Sequence, residues 1–141
     1  MAGLRQFASS QQQSACTCGD RLDGLEVLLA EDEFVIAFEL QAALEARGAG
    51  VTVVDSVADG LPLSPRAFHA AVLDVRLADG DVYPLADRLY AGSVPIVFHS
   101  GHAEVSALSA LYPGARAVRK PSWGEELIGT LAASVQVQAV A

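Results

Sequence analysis

LEVLLAEDEFVIAFELQAALEARG, residues 25–48, contains one complete strand-to-helix unit. Leu25–Ala30 is a short apolar run, the pattern expected of a strand buried on both faces. Glu31, Asp32 and Glu33 follow at its end. Ile36, Leu40, Ala43 and Leu44 then recur at helical spacing and form one buried stripe. Gly48 supplies the natural stop. The same rhythm continues outward. Val51–Asp55 reads as a second strand, and Pro62 and Pro65 keep the following helix short. Ala70–Asp74 is a third strand, Tyr83–Tyr90 a helix and Pro95–His99 a fourth strand. Ala103–Leu111 is the next helix, Ala115–Arg119 a fifth strand, and Glu125 to about Val137 the last helix.

Five β/α units in succession predict a parallel sheet covered by helices on both faces. The fold class is α/β, a flavodoxin-like doubly wound sandwich with strand order 2-1-3-4-5. Such sheets bind ligands beyond the carboxyl ends of their strands, so the chemistry belongs there. Residues 1–23, rich in Gln and Ser, read as a flexible extension, and residues 24–141 as the domain. Cys16 and Cys18 are too close in sequence to bridge each other readily and have no His or Cys nearby; they read as incidental thiols. No apolar run approaches the roughly 20 residues of a membrane span, and the start lacks a signal-peptide layout. The expected location is the cytoplasm, with no membrane contact. Seventeen acidic residues against nine basic ones give a formal charge of −8. That balance argues against nucleic-acid binding, which needs a basic face.

The strand ends carry a constellation. Glu31 and Asp32 end the first strand and Asp74 ends the third, its neighbour in this order. Three converging carboxylates repel unless a cation neutralises them, and an oxygen-lined site suits Mg²⁺. Strand four ends in Ser100, a hydroxyl. Strand five ends in Lys120, the only lysine beside eight arginines. An acceptor, metal ligands, a hydroxyl and an ammonium are the parts that phosphoryl transfer needs. Its transition state spreads negative charge over three oxygens, and catalysis is chiefly positioning and neutralisation.

From Leu25 to Val137 the chain resembles the receiver domains of two-component response regulators. The resemblance rests on VLLAEDE at Val27–Glu33, AAVLDVRLADG at Ala70–Gly80, VPIVFHSG at Val94–Gly101 and RKP at Arg119–Pro121. It implies that Asp74 is the phosphoacceptor and that Glu31 and Asp32 hold Mg²⁺ together with Asp74 and the main-chain carbonyl of Arg76. Ser100 would hydrogen-bond the phosphoryl group and Lys120 would pair with it. The donor would be a histidine kinase or a histidine phosphotransfer protein, with a downstream protein target possible. The chain would be no enzyme beyond its own aspartyl phosphorylation and dephosphorylation. DVYPLADRL further looks like a branch of single-domain receivers common in alphaproteobacteria.

Three features depart from that family's pattern. Ala117 stands three residues before the lysine, where receivers usually carry the Tyr or Phe that swings inward on activation. Arg76 and His102 stand two residues beyond the acceptor and the hydroxyl; either they shield the acyl phosphate or they face solvent. The second and fourth helices look shortened. Phe34 and Phe38 lie opposite the buried stripe of the first helix, the face on which the family docks its phosphodonor, unless the N-terminal extension covers them. His69, His99 and Trp123 read as structural. The alternative function is a degenerate receiver, binding partners without phosphorylation. A phosphohydrolase would want a second Asp where Arg76 stands, and a Rossmann domain would want a glycine-rich first turn.

Overall fold

The computed structural model describes residues 21–101, 105–120 and 124–140. Cys16, Cys18, His102, Pro121 and Trp123 lie outside the described residues, as does the expected N-terminal extension up to residue 20. The main sheet contains β1 (Glu26–Ala30), β2 (Gly50–Val54), β3 (Ala70–Asp74), β4 (Ile96–Ser100) and β5 (Arg116–Arg119). Its order is β2-β1-β3-β4-β5 and every pairing is parallel. This is the expected doubly wound topology. β3 and β4 are buried along their whole length, whereas the edge strands β2 and β5 are only partly covered. Central strands covered on both faces need apolar residues at both parities, and that is why they read as continuous apolar runs.

Successive residues of the central strands feed two separate cores. Leu28, Ala30, Ala71, Leu73, Ile96 and Phe98 face one side of the sheet. Val27, Leu29, Ala70, Val72 and Val97 face the other. The second side is covered by α1 (Phe34–Ala46) and α5 (Gly124–Val140). Within the expected stripe of α1, Leu40 and Leu44 are fully packed, Ile36 and Ala43 partly so, and Ala37 joins them. Gly48 ends the segment at φ +99, a conformation that side chains resist.

The first side carries α2 (Val57–Gly60), α3 (Tyr83–Ala91) and α4 (Val105–Leu111). The prolines act as expected: α2 lasts four residues, and Pro65 opens a single 3₁₀ turn at Pro65–Ala67. A Cβ at Gly60 would come within 2.7 Å of the Leu85 side chain, so glycine lets α2 lie close against α3.

Three features differ from the sequence reading. Leu22, placed in the extension, is fully buried and its N–H donates to the Arg47 carbonyl at 2.9 Å. α5 runs to Val140, beyond the expected Val137. Between β3 and α3 the chain doubles back into an antiparallel ribbon, Arg76–Leu77 against Gly80–Asp81. Two-residue strands leave no periodicity to detect.

Candidate functional site

β1 and β3 run side by side, so the residues that leave them emerge together. The Glu31 N–H donates to the Val54 carbonyl at 3.0 Å, carrying the main-chain ladder one residue past β1. That contact turns the Glu31 side chain inward, where it is buried, while Asp32 stays exposed. Asp74 closes β3 and is also buried. Glu31, Asp32 and Asp74 each offer a carboxylate oxygen, and the three oxygens lie within 4.8 Å of one another.

Lys120 reaches this group from β5. Its Nζ stands 3.0 Å from Asp74 Oδ2 and 3.3 Å from Glu31 Oε1. Its main-chain N–H donates to the Ser100 carbonyl at 2.7 Å, which holds the buried Ser100 beside it. Asp74 Oδ1 accepts the Arg76 N–H at 3.4 Å, and Glu31 Oε2 accepts the Glu33 N–H at 3.2 Å. A cavity of about 390 Å³ opens over these groups, lined by Asp32, Glu33, Asp74, Arg76, Ser100 and Lys120 among others. Another cavity of about 400 Å³ lies at the amino-terminal ends of β4 and β5, with Arg116 as its one charged lining residue among the described residues. The convergent chemistry is at the first.

The electrostatics reflect crowding. Burial, reinforced by the charge of Asp74, pushes the Glu31 carboxyl up to about 7. Lys120 attracts the ionised form, but burial and the neighbouring carboxylate outweigh it. Burial also works against the Lys120 ammonium, yet its hydrogen bond to Asp74 and the charge of Glu31 hold its pKa above the usual lysine value. Behind the site, burial pushes the His99 imidazole down to about 4, so it is neutral at ordinary pH. Three carboxylates facing one ammonium leave uncompensated negative charge. Their oxygen donors suit a hard divalent cation.

The structure thus brings together Glu31, Asp32, Asp74, Ser100 and Lys120, with the main chain of Arg76 beside them. The Arg76 guanidinium is engaged elsewhere: its Nε lies 3.0 Å from Asp81 across the ribbon. Phe34 and Phe38 lie in the first turns of α1, which begins directly after the cavity-lining Glu33. They are 79% and 61% exposed, with ring centroids 6.2 Å apart, so nothing in the described fold covers them. Ala117 pairs with Phe98 across β4 and β5 and is partly buried, with no ring at that position. His69 Nδ1 accepts the Glu26 N–H at 2.9 Å, a structural contact. Sequence reasoning overlooked two groups that shape the surroundings. Asp79 accepts the N–H groups of Val57 and Ala58, and the Tyr112 hydroxyl donates to Asp87 at 2.6 Å. Both act across more than twenty residues of sequence, where local pattern gives no signal.

No family model and no curated protein matches the sequence. Solved structures do. A response regulator receiver protein from Sinorhizobium medicae is 26% identical, with a TM-score of 0.74 over 81% of this chain and 96% of that one. The non-phosphorylated HemR receiver domain from Leptospira biflexa is 26% identical, with a TM-score of 0.69 over 79% and 94%. A CheY-like receiver domain protein from Methanospirillum hungatei shares the fold at 19% identity, with a TM-score of 0.75 over 82% and 97%. The architecture is therefore that of CheY-like doubly wound α/β domains, with its acidic site at the carboxyl ends of the strands. Within that class, the solved structures it resembles at 26% identity are response regulator receiver domains, which supports a receiver domain here.

Proposed function

We propose that this receiver accepts a phosphoryl group on Asp74 from a phosphohistidine donor, with Mg²⁺ held by Glu31, Asp32, Asp74 and the main-chain carbonyl of Arg76. The observation that carries the reading is the meeting of three carboxylate oxygens within 4.8 Å, with the Lys120 ammonium 3.0 Å from one of them. Mg²⁺ supplies the positive charge that lets an anionic acceptor approach an anionic phosphoryl group.

The chain's own residues do the rest. An Asp74 carboxylate oxygen forms the new P–O bond as the P–N bond of the donor breaks. The bond's electron pair goes to the imidazole nitrogen, which leaves as neutral imidazole after taking a proton. Lys120, already beside Asp74, pairs with a phosphoryl oxygen, and the Ser100 hydroxyl donates a hydrogen bond to another. The Arg76 guanidinium, paired with Asp81, stays out of the reaction.

Phe34 and Phe38 give the donor, a histidine kinase or a histidine phosphotransfer protein, an apolar landing surface beside the cavity mouth. The protein works in the cytoplasm and turns over no substrate beyond its own aspartyl phosphate. Among the described residues no helix is long and apolar enough to cross a membrane.

A second reading draws on Ala117: without a ring at the usual switch position, the domain binds partners independently of phosphate. Intact mass after incubation with Mg²⁺ and acetyl phosphate separates the two. One added phosphoryl group that disappears in Asp74→Ala supports the acceptor. No adduct, and no response of Trp123 fluorescence to beryllofluoride, supports the binding module.

A further inference from the structure

Asp79 sits at the tip of the ribbon, outside the cavity and away from the acceptor. Its Oδ1 accepts the Val57 N–H at 2.8 Å and its Oδ2 accepts the Ala58 N–H at 3.0 Å. One residue earlier, the Ala78 N–H donates to the Asp55 carbonyl at 3.4 Å. The ribbon is therefore tied at one point to the turn between β2 and α2 and at two points to the start of α2. Its base is tied to the site: the Arg76 N–H donates to Asp74 Oδ1 at 3.4 Å, and the Val82 N–H to the Val75 carbonyl at 2.8 Å.

Charge strengthens the upper contacts. A carboxylate that accepts two N–H groups at the start of a helix makes charge-assisted bonds and complements the helix dipole. The same two N–H groups hold the Asp79 carboxyl below the usual carboxylate range. A helix of four residues cannot sustain itself in isolation. Its placement depends on contacts such as these, and Ser56 Oγ adds one more by accepting the Asp59 N–H at 3.1 Å.

We propose that Asp79 is a positioning residue: it fixes the main chain at Arg76 for cation binding and couples that site to α2, so that Mg²⁺ orders Val57 and Ala58. The inference rests on the Mg²⁺ reading given above. It routes a signal towards the β2 edge of the sheet. β5, where Ala117 lacks a ring, is the opposite edge.

The test uses the full chain. Mg²⁺ affinity is measured by calorimetry for wild type, Asp79→Ala, Asp79→Asn, Asp32→Asn and Ser64→Ala, and amide exchange is followed at residues 57 and 58. Ser64→Ala is the control for local destabilisation, since Ser64 Oγ caps only the 3₁₀ turn through the Arg66 N–H at 3.2 Å. Asp79→Ala is expected to weaken Mg²⁺ binding roughly tenfold, the low end for outer-shell partners of a metal. Asp79→Asn, which keeps one acceptor oxygen, should lose less, and Ser64→Ala should bind as wild type. In wild type, Mg²⁺ should slow exchange at Val57 and Ala58. Wild-type affinity in both Asp79 variants overturns the positioning role, and so does exchange at 57 and 58 that ignores Mg²⁺. If Asp79→Ala does not fold, Asp79→Asn and the wild-type exchange decide. Wild-type affinity in Asp32→Asn removes the metal reading and this inference with it; loss there alone overturns only the role of Asp79.

Discussion

One face of the sheet carries two long helices, α1 with 13 residues and α5 with 17, while the other carries three short ones of four, nine and seven residues. The long pair is held by apolar burial: Leu40, Leu44, Leu127, Ile128 and Leu131 pack onto Val27, Leu29, Val72 and Val97. The ion pair between Arg47 and Glu125, 3.2 Å long with Glu125 81% exposed, adds little. The short helices also bury apolar surface, but polar links stitch them together. Asp79 holds the start of α2, Tyr112 donates to Asp87 on α3, and the Tyr90 hydroxyl donates to the Pro113 carbonyl at 2.6 Å. Arg88 reaches back to the Leu63 carbonyl at 3.4 Å. Short helices offer too few apolar turns to fix their own position, so directional bonds take over that task. The long layer is held chiefly by apolar burial, and the short layer depends more on directional polar bonds.

The largest expected effect lies in the long layer. Leu44→Ala removes a fully buried side chain, and the cavity it leaves should cost about 3 kcal/mol of stability. Urea unfolding checks this. A loss below about 1 kcal/mol would mean that apolar burial does not hold the long layer, and the contrast would fail.

The next effect depends on pH and belongs to the same layer. His99 has the strand parity of Val97, which faces α1 and α5. It takes its proton near pH 6.5 when unfolded but near 4 when folded, so acidification through that window favours unfolding. Glu31 takes its proton near 7 when folded and 4.5 when unfolded, so acidification favours the fold. Each contribution is on the order of 3 kcal/mol. Without Mg²⁺, the two should nearly cancel between pH 6.5 and 4.5. His99→Leu should then gain stability as pH falls, and Glu31→Gln should lose it. Urea midpoints across the window would sink this account if both variants kept the wild-type profile.

Much of this contrast was legible in the sequence. Short runs apolar at both parities, such as Val27–Ala30 and Ala70–Leu73, recurring between helical patterns, read as central strands, and parallel topology brings the acids at their ends together. Pro62 and Pro65 announced the short α2. What escaped was long-range and polar. Asp79 and Tyr112 find partners 21 to 25 residues away, and no periodicity records such contacts. Leu22 escaped because a single apolar residue beyond a strand has no pattern of its own.

A smaller effect tests the stitching. Burial, and then the Asp87 carboxylate, raises the Tyr112 hydroxyl pKa above the ordinary tyrosine value, so it remains a donor. Tyr112→Phe removes the bond but keeps the ring contacts with Phe98 and Tyr90. Because Asp87 can turn to water, the expected loss is about 1 kcal/mol. Faster amide exchange in α4, with α1 unaffected, would sharpen the distinction between layers. Equal loosening of both would erase it.

The smallest change in stability is expected at Phe34 and Phe38, on the outer face of the long layer. Both rings already lie in water, so replacing them with Ser should shift stability by no more than about 0.5 kcal/mol. Exposed stacked rings gain little for folding and much for association, because a partner removes their apolar surface from water. The double variant should therefore accept phosphate from acetyl phosphate at the wild-type rate and from its histidine donor far more slowly. Parallel time courses with the two donors measure this. Equal slowing with both would mean that the rings act on the carboxylate site rather than on docking. The long layer would then serve chemistry alone, and recognition would have to be sought on the short-helix face.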